Sequence, residues 1–241
     1  MKRNLVSARQ KAALAGLLAR VDESKKSGIP VIVFDLDDTL LSTDRRHQRI
    51  LREYAAKNKA AAALAKLRVD QMRYAIVETA SAAGLKDAAL LKDLKAFWYQ
   101  RFFTNEYLLS DHPVPGAAAY CRAALKRGAC VVYMTGRDEQ MRAGTLASLR
   151  RWDFPQPDGK RARLILKSSF GLPDLEYKRD SMAAIMTLGE VVGSFENEPA
   201  HINIFYDAFP EAWHFQVETK HTGRPIEAHP STRRIADFRR R

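Results

Sequence analysis

Apolar residues fall along this chain in short uninterrupted runs, separated by longer stretches with helical spacing. The first run, Val31-Ile32-Val33-Phe34, follows Gly28 and Pro30 and ends in a cluster of acids. A short apolar run without polar alternation marks a strand buried on both faces, as in a parallel sheet. Four more segments read the same way: Ala129–Met134, the less pure Ala162–Lys167, Val191–Phe195 and Trp213–Val217. Helical patterns lie between them. Pro115-Gly116 opens one that runs through Leu125 and stops near Gly128, and Glu139–Arg151 is a second. Tyr177–Leu188 ends at Gly189, and Ala200–Phe209 is a fourth. Strands alternating with helices predict an α/β fold, doubly wound on a mostly parallel Rossmann-like sheet.

Three stretches depart from this alternation. From about Thr43 to Asp111 no strand-like run occurs, and Ala, Leu, Lys and Arg dominate. Such a composition favours helix, so three or so helices are expected, with a break at Gly84. The reading is an all-α insert, 45–110, within a core made of 29–44 and 111–230. Residues 1–28, where Leu5, Ala12, Leu14 and Leu18 recur, predict an amphipathic helical extension. Residues 231–241 read as a loose basic tail.

Composition adds limits. A chain of 241 residues, 46% hydrophobic, suits one large domain or one domain with an insert. Arg9 and Lys11 interrupt the N-terminal pattern, no apolar stretch of signal-peptide length occurs, and none approaches a membrane span. A soluble, cytoplasmic protein with no membrane partner is expected. Cys121 and Cys130 stand in no metal-type spacing and fit a reducing compartment. The net charge of +12 is peripheral: 1–28 hold seven Lys/Arg against two Asp/Glu, 45–110 thirteen against six, and 231–241 five against one. The remainder is mildly acidic. A basic insert beside an acidic site suits an anionic substrate, although solvated helix faces account for most of these charges equally well.

The sharpest chemical signal is Asp35-Leu36-Asp37-Asp38-Thr39, directly after the first strand. Three carboxylates in four residues repel one another unless a positive partner compensates. A divalent cation that favours oxygen ligands, magnesium above all, is the natural partner. Ligand sites in open α/β sheets lie at the carboxyl ends of strands, where these acids fall. One carboxylate can attack phosphorus while the other exchanges protons with the leaving oxygen. At the end of the second run, Thr135-Gly136-Arg137 offers a hydroxyl, room for close approach and a cation for a phosphate.

The hydrophobic strand followed by Asp-x-Asp-x-Thr resembles the first motif of the haloacid dehalogenase superfamily. The resemblance implies that Asp35 is nucleophile and magnesium ligand. Asp37 is then the general acid/base and a ligand through its backbone carbonyl. Thr135 matches the second motif, with Gly136 and Arg137 as phosphate-binding neighbours. The motif lysine is Lys178 at the start of a helix, with Lys167 as rival and candidate phosphate contact. Where the family has one or two acids, this chain has Glu196-Asn197-Glu198. Glu196 is the preferred metal ligand and Asn197 a supporting one; Glu198 is a ligand, an outer contact or a neighbour of a helix cap.

The insert falls where the family carries a C1-type helical cap, which excludes water and selects substrate. Phe97, Trp98, Tyr99, Phe102, Phe103 and Tyr107 are expected to form the cap's own core, with a substrate surface as the alternative. Arg45, Arg46 and Arg49 are expected on a solvated face, with contact to an anionic substrate as the alternative, and His47 and His112 as surface or packing residues. The implied enzyme is a magnesium-dependent phosphomonoester hydrolase acting on a small phosphorylated metabolite. The Asp at 37 speaks against a dehalogenase or a transport ATPase. The alternatives are a phosphatase of nucleotides or nucleic-acid ends, and a non-catalytic binding protein on the same scaffold. Oligomeric state is not readable.

Overall fold

A computed structural model describes residues 7–240; Leu5 of the expected N-terminal helix and Arg241 of the expected tail lie outside the described residues. In chain order the elements are α1 (Ala8–Ser24), β1 (Pro30–Phe34), β2 (Leu41–Ser42), α2 (Asp44–Lys57), two 3₁₀ segments (Lys59–Lys66 and Val69–Gln71), α3 (Ile76–Ala82), α4 (Ala88–Phe102), α5 (Asn105–Leu108), β3 (His112–Pro113), α6 (Ala117–Arg127) and β4 (Cys130–Asp138). A 3₁₀ turn (Glu139–Met141), α7 (Arg142–Arg151), β5 (Ala162–Lys167), α8 (Asp174–Met186), β6 (Glu190–Glu196), α9 (Pro199–Ala208), β7 (Trp213–Val217) and β8 (Arg233–Ile235) complete it.

The main sheet runs β5-β4-β1-β6-β7-β8, and its ladders are parallel. Its order reverses at β1: the chain builds outward through β4 and β5, then returns to the other side for β6, β7 and β8. Reversal points of this kind open a crevice at the carboxyl ends of the strands. The apolar runs lack polar alternation because helices cover both faces. Val31 and Val33 pack with Met134, Ile185 and Phe205 on one side. Ile32 and Phe34 pack with Leu14, Leu17 and Tyr120 on the other. Gly128, at φ 114°, ends α6 in the left-handed region that glycine tolerates.

The chain divides into two compact units. The first comprises Met1–Leu41, Pro113–Glu139 and Leu149–Arg241, and the second Ser42–His112 with Gln140–Ser148. Segment 140–148 groups with the insert because Asn105 bonds to it twice, to the Gln140 carbonyl at 2.7 Å and from the Gly144 N–H at 2.6 Å. The second unit has its own core around Leu51, Tyr54, Leu64, Ile76 and Leu94. Phe97 and Trp98 pack against that core, and His47 lies 4.9 Å from the Phe102 ring. Arg46 departs from the expectation of a solvated face. It is fully buried, grips both oxygens of the buried Asp111, and lies over the Phe102 ring. A buried charge persists only where its partner is equally well placed.

The C-terminal stretch is also not a loose tail. Arg233–Ile235 pairs with β7 as an edge strand, Ile235 and Phe238 are buried, and the Gln10 amide bonds both Ala236 N–H and Asp237. Edge strands commonly carry charged residues outward, so an arginine-rich sequence there reads as a tail. The helix expected from Glu139 opens as the 3₁₀ turn Glu139–Met141 and becomes α-helical at Arg142.

Register brings three phenyl rings into line just below the strand ends. Phe34 pairs with Phe195, and Phe195 with Phe215. Their rings stack at 4.9 and 4.6 Å between centroids, all fully buried. Phe195→Ala is therefore expected to cost about 3–5 kcal/mol. A denaturant titration checks this, and a loss under about 1 kcal/mol would remove the ladder's structural role.

Candidate active site

Asp35 is the first residue beyond β1, and its N–H donates to the Phe195 carbonyl at 3.0 Å. That bond extends the ladder with β6 by one step and holds Asp35 beside Glu196. The chain then turns sharply. Leu40 and Leu41 N–H groups both return to the Leu36 carbonyl, and Asp38 takes a left-handed φ of 57°. Aspartate tolerates that conformation better than most side chains. On β4 the ladder to β5 is regular to Met134 and resumes at Asp138, so Thr135-Gly136-Arg137 sits in an irregular segment. Irregularities of this kind re-aim side chains beside sites.

Lys178, from the first turns of α8, is buried to 1% exposure and bridges two carboxylates. Its Nζ lies 3.1 Å from Asp35 Oδ1 and also donates to Glu196 Oε2. Burial, then Glu196, push the Asp35 carboxyl up to about 8, with Lys178 pulling the other way. Burial alone would lower Lys178, yet Asp35 and Glu196 outweigh it and hold the ammonium protonated above the usual lysine range. The other oxygen of Glu196 accepts from the N–H groups of Asn197 and Glu198 at 3.0 and 3.1 Å. Thr135 is fully buried, and its Oγ1 accepts from Arg137 N–H at 3.3 Å.

Several expected site residues are engaged elsewhere. Lys167 Nζ donates to the carbonyls of Phe170 and Leu172 and to Asp174, so it braces that loop. The Arg137 guanidinium is paired with Asp37 in two-point contact, at 2.7 and 2.9 Å, where a phosphate contact was expected. The Asn197 amide accepts from Thr39 Oγ1 at 2.9 Å and donates to the Lys220 carbonyl, which makes it a tie between loops. Glu198 takes the N–H and hydroxyl of Thr222. A Cβ at Gly136 would stand 3.0 Å from the Asp174 carboxylate, so Asp174 would have to give by a few tenths of an ångström.

The segment after β7 escaped the sequence reading. Thr219 donates to the Asp38 carbonyl, Lys220 Nζ lies 3.8 Å from Asp38, and Thr222 holds Glu198. Its one signal was its position after a buried strand. His201 was also missed. Its Nδ1 lies 3.8 Å from Glu196, and burial, then Lys178, push it down to about 3, so it stays neutral.

No group of three His, Cys, Asp or Glu side chains is poised for a metal among the described residues. Asp37 is turned to Arg137, so the paired carboxylates are Asp35 and Glu196. The donor chemistry nevertheless fits a hard cation. Three carboxylates, at 35, 37 and 196, face two cations, Lys178 and Arg137, and the surplus falls on buried Asp35. Oxygen donors with excess negative charge suit a divalent ion.

With this site at the carboxyl ends of a parallel sheet, comparison with known proteins becomes informative. The family model for haloacid dehalogenase-like hydrolases matches residues 29–163, and the chain belongs to that family. The matched span includes Asp35, Asp37 and Thr135, while Lys178 and Glu196 lie beyond it and stand on geometry. A haloacid dehalogenase-like hydrolase from Bacteroides fragilis shares the fold at TM-score 0.54 and 17% identity, covering 87% of this chain and 98% of that one. CbbY from Rhodobacter sphaeroides, solved in complex with phosphate, matches at TM-score 0.51 and 16% identity, covering 87% and 95%. A family IA hydrolase from Entamoeba histolytica matches at 0.50 and 14%, covering 87% and 94%. No curated protein matches the chain. No helix among the described residues is long and apolar enough to cross a membrane.

The two lysines are separable by experiment. Lys178→Met is expected to lower hydrolytic turnover on the order of 100-fold or more, the scale for one lost charge-stabilising donor. Lys167→Met should stay within several-fold of the parent. Equal losses in the two variants, with both cooperatively folded, would sink the assignment.

Proposed function

We propose that the protein is a phosphomonoester hydrolase whose nucleophile is Asp35. The observation that carries this reading is the buried Lys178 ammonium shared by Asp35 and Glu196 at the ends of two adjacent parallel strands. An aspartate with a fixed cation at its side and a second carboxylate two residues on has what two-step phosphoryl transfer requires.

In the first half, an Asp35 oxygen attacks phosphorus in line with the ester oxygen. The P–O ester bond breaks, and the departing oxygen takes a proton from the Asp37 carboxyl. Lys178 and the Thr135 hydroxyl hold the phosphoryl oxygens as charge shifts. In the second half, Asp37 as carboxylate takes a proton from water, whose oxygen attacks the phosphorus of the aspartyl phosphate. Phosphate leaves, and Asp35 is restored. Asp35, Glu196 and the Asp37 backbone carbonyl are the groups that would hold magnesium, which when bound supplies further neutralisation of phosphoryl charge. Asn197, tied to Thr39 and the Lys220 carbonyl, supports this set from outside. The substrate class is a small phosphorylated metabolite, with the helical insert as the substrate-selecting cap.

Purified protein assayed with p-nitrophenyl phosphate tests the reading. Turnover is expected with magnesium and is expected to vanish on chelation and return on adding the metal back. Asp35→Asn should fall to background, a loss on the order of a thousandfold or more, while retaining cooperative unfolding. Substantial turnover in Asp35→Asn would rule out the nucleophile assignment.

A further inference from the structure

We infer that Arg137 is a positioning residue that acts through Asp37. The inference rests on the phosphomonoester reading and deepens it. Arg137 Nη2 lies 2.7 Å from Asp37 Oδ1 and its Nε 2.9 Å from Oδ2, a fork-to-carboxylate contact. The two partners differ in exposure. The Arg137 side chain is 1% exposed and the Asp37 side chain 32%. The guanidinium is thus the deeply buried member, and the carboxylate it grips is the one that reaches toward solvent. Asp37 stands in a tight loop beyond the end of β1, whereas Asp35 is held by the ladder bond to Phe195. A single hydrogen bond would leave its carboxyl plane free to rotate; two parallel bonds do not.

The consequence is chemical. A proton donor contributes only when its oxygen lies within hydrogen-bond reach of the departing atom. A carboxylate oxygen offers more than one lone-pair direction, so the Arg137 contact does not by itself block proton transfer. When the P–O ester bond breaks, its electron pair goes to the alcohol oxygen. The proton comes from Asp37, which is left as a carboxylate facing Arg137. In the second half the same oxygen recovers a proton from water.

Leaving-group dependence separates this role from direct phosphate binding. The nitrophenolate of p-nitrophenyl phosphate departs without a proton, while the alkoxide of glycerol phosphate needs one. With magnesium present, Arg137→Ala is expected to lower kcat for glycerol phosphate about 100-fold, and for p-nitrophenyl phosphate less than about tenfold. Arg137→Lys keeps the charge but not the fork, and should fall between parent and Ala variant on glycerol phosphate. It also serves if the Ala variant does not unfold cooperatively. An equal fall on the two substrates, or a raised KM with kcat retained, would overturn the inference and return Arg137 to the phosphate. Absence of turnover by the parent protein on both substrates would instead remove the phosphatase reading on which the inference stands.

Discussion

Two carboxylates from different strands are buried within reach of one ammonium, and much of the first unit is arranged around that fact. Asp35 follows β1, Glu196 ends β6, and parallel register sets them side by side. Buried like charges cost several kcal/mol each unless compensated. Lys178 compensates from a third element, α8, whose buried face includes Tyr177, Met182 and Ile185. The Phe34–Phe195–Phe215 ladder serves the same end from below. Any slip of β1 against β6 would separate the two acids and turn each side chain to the opposite face.

Sequence pattern located this machinery to within a residue or two, because strand ends in a parallel sheet are marked twice. An apolar run stops, and polar residues that are costly to bury begin. Asp35, Thr135 and Glu196 each carry that double mark. Partner choice carries no such mark. Lys167 also ends a strand, and only the structure shows its amine bound to the loop at 170–174. Arg137 finds Asp37 across 100 residues of chain, a pairing that neither spacing nor periodicity encodes. β8 was hidden for a related reason, since the charges that protect an edge strand resemble those of a solvated tail.

The second unit teaches the same distinction with opposite sign. A helix rich in arginine, Asp44–Lys57, reads as solvated, and Arg49 does pair near the surface with Glu53 and Glu106. Arg46, three residues earlier, is buried with a bidentate partner 65 residues away. Arg46 and Asp111 lie near the two ends of the insert's sequence, so their pair ties together the points where that chain segment begins and ends. Helical periodicity places Arg46 on the inward stripe with Ile50, but residue type argues against burial, and the two signals conflict at this position.

The Glu196-Asn197-Glu198 segment, with its neutral middle residue, finds a physical account in what its side chains hold. Asn197 joins Thr39 of the first loop to the Lys220 carbonyl of the loop after β7, and Glu198 binds Thr222 of that same loop. Thr219 closes the circuit on the Asp38 carbonyl. Three strand-end loops are thereby fastened to one another by hydrogen bonds. An acid at 197 could accept from Thr39 but could not donate to the Lys220 carbonyl, so a carboxamide is the side chain that satisfies both ends. The neutral residue also limits the negative charge gathered around Asp35. Fewer acids in the innermost layer mean less repulsion for Lys178 to offset, and the departure from paired acids thus follows from fastening the loops.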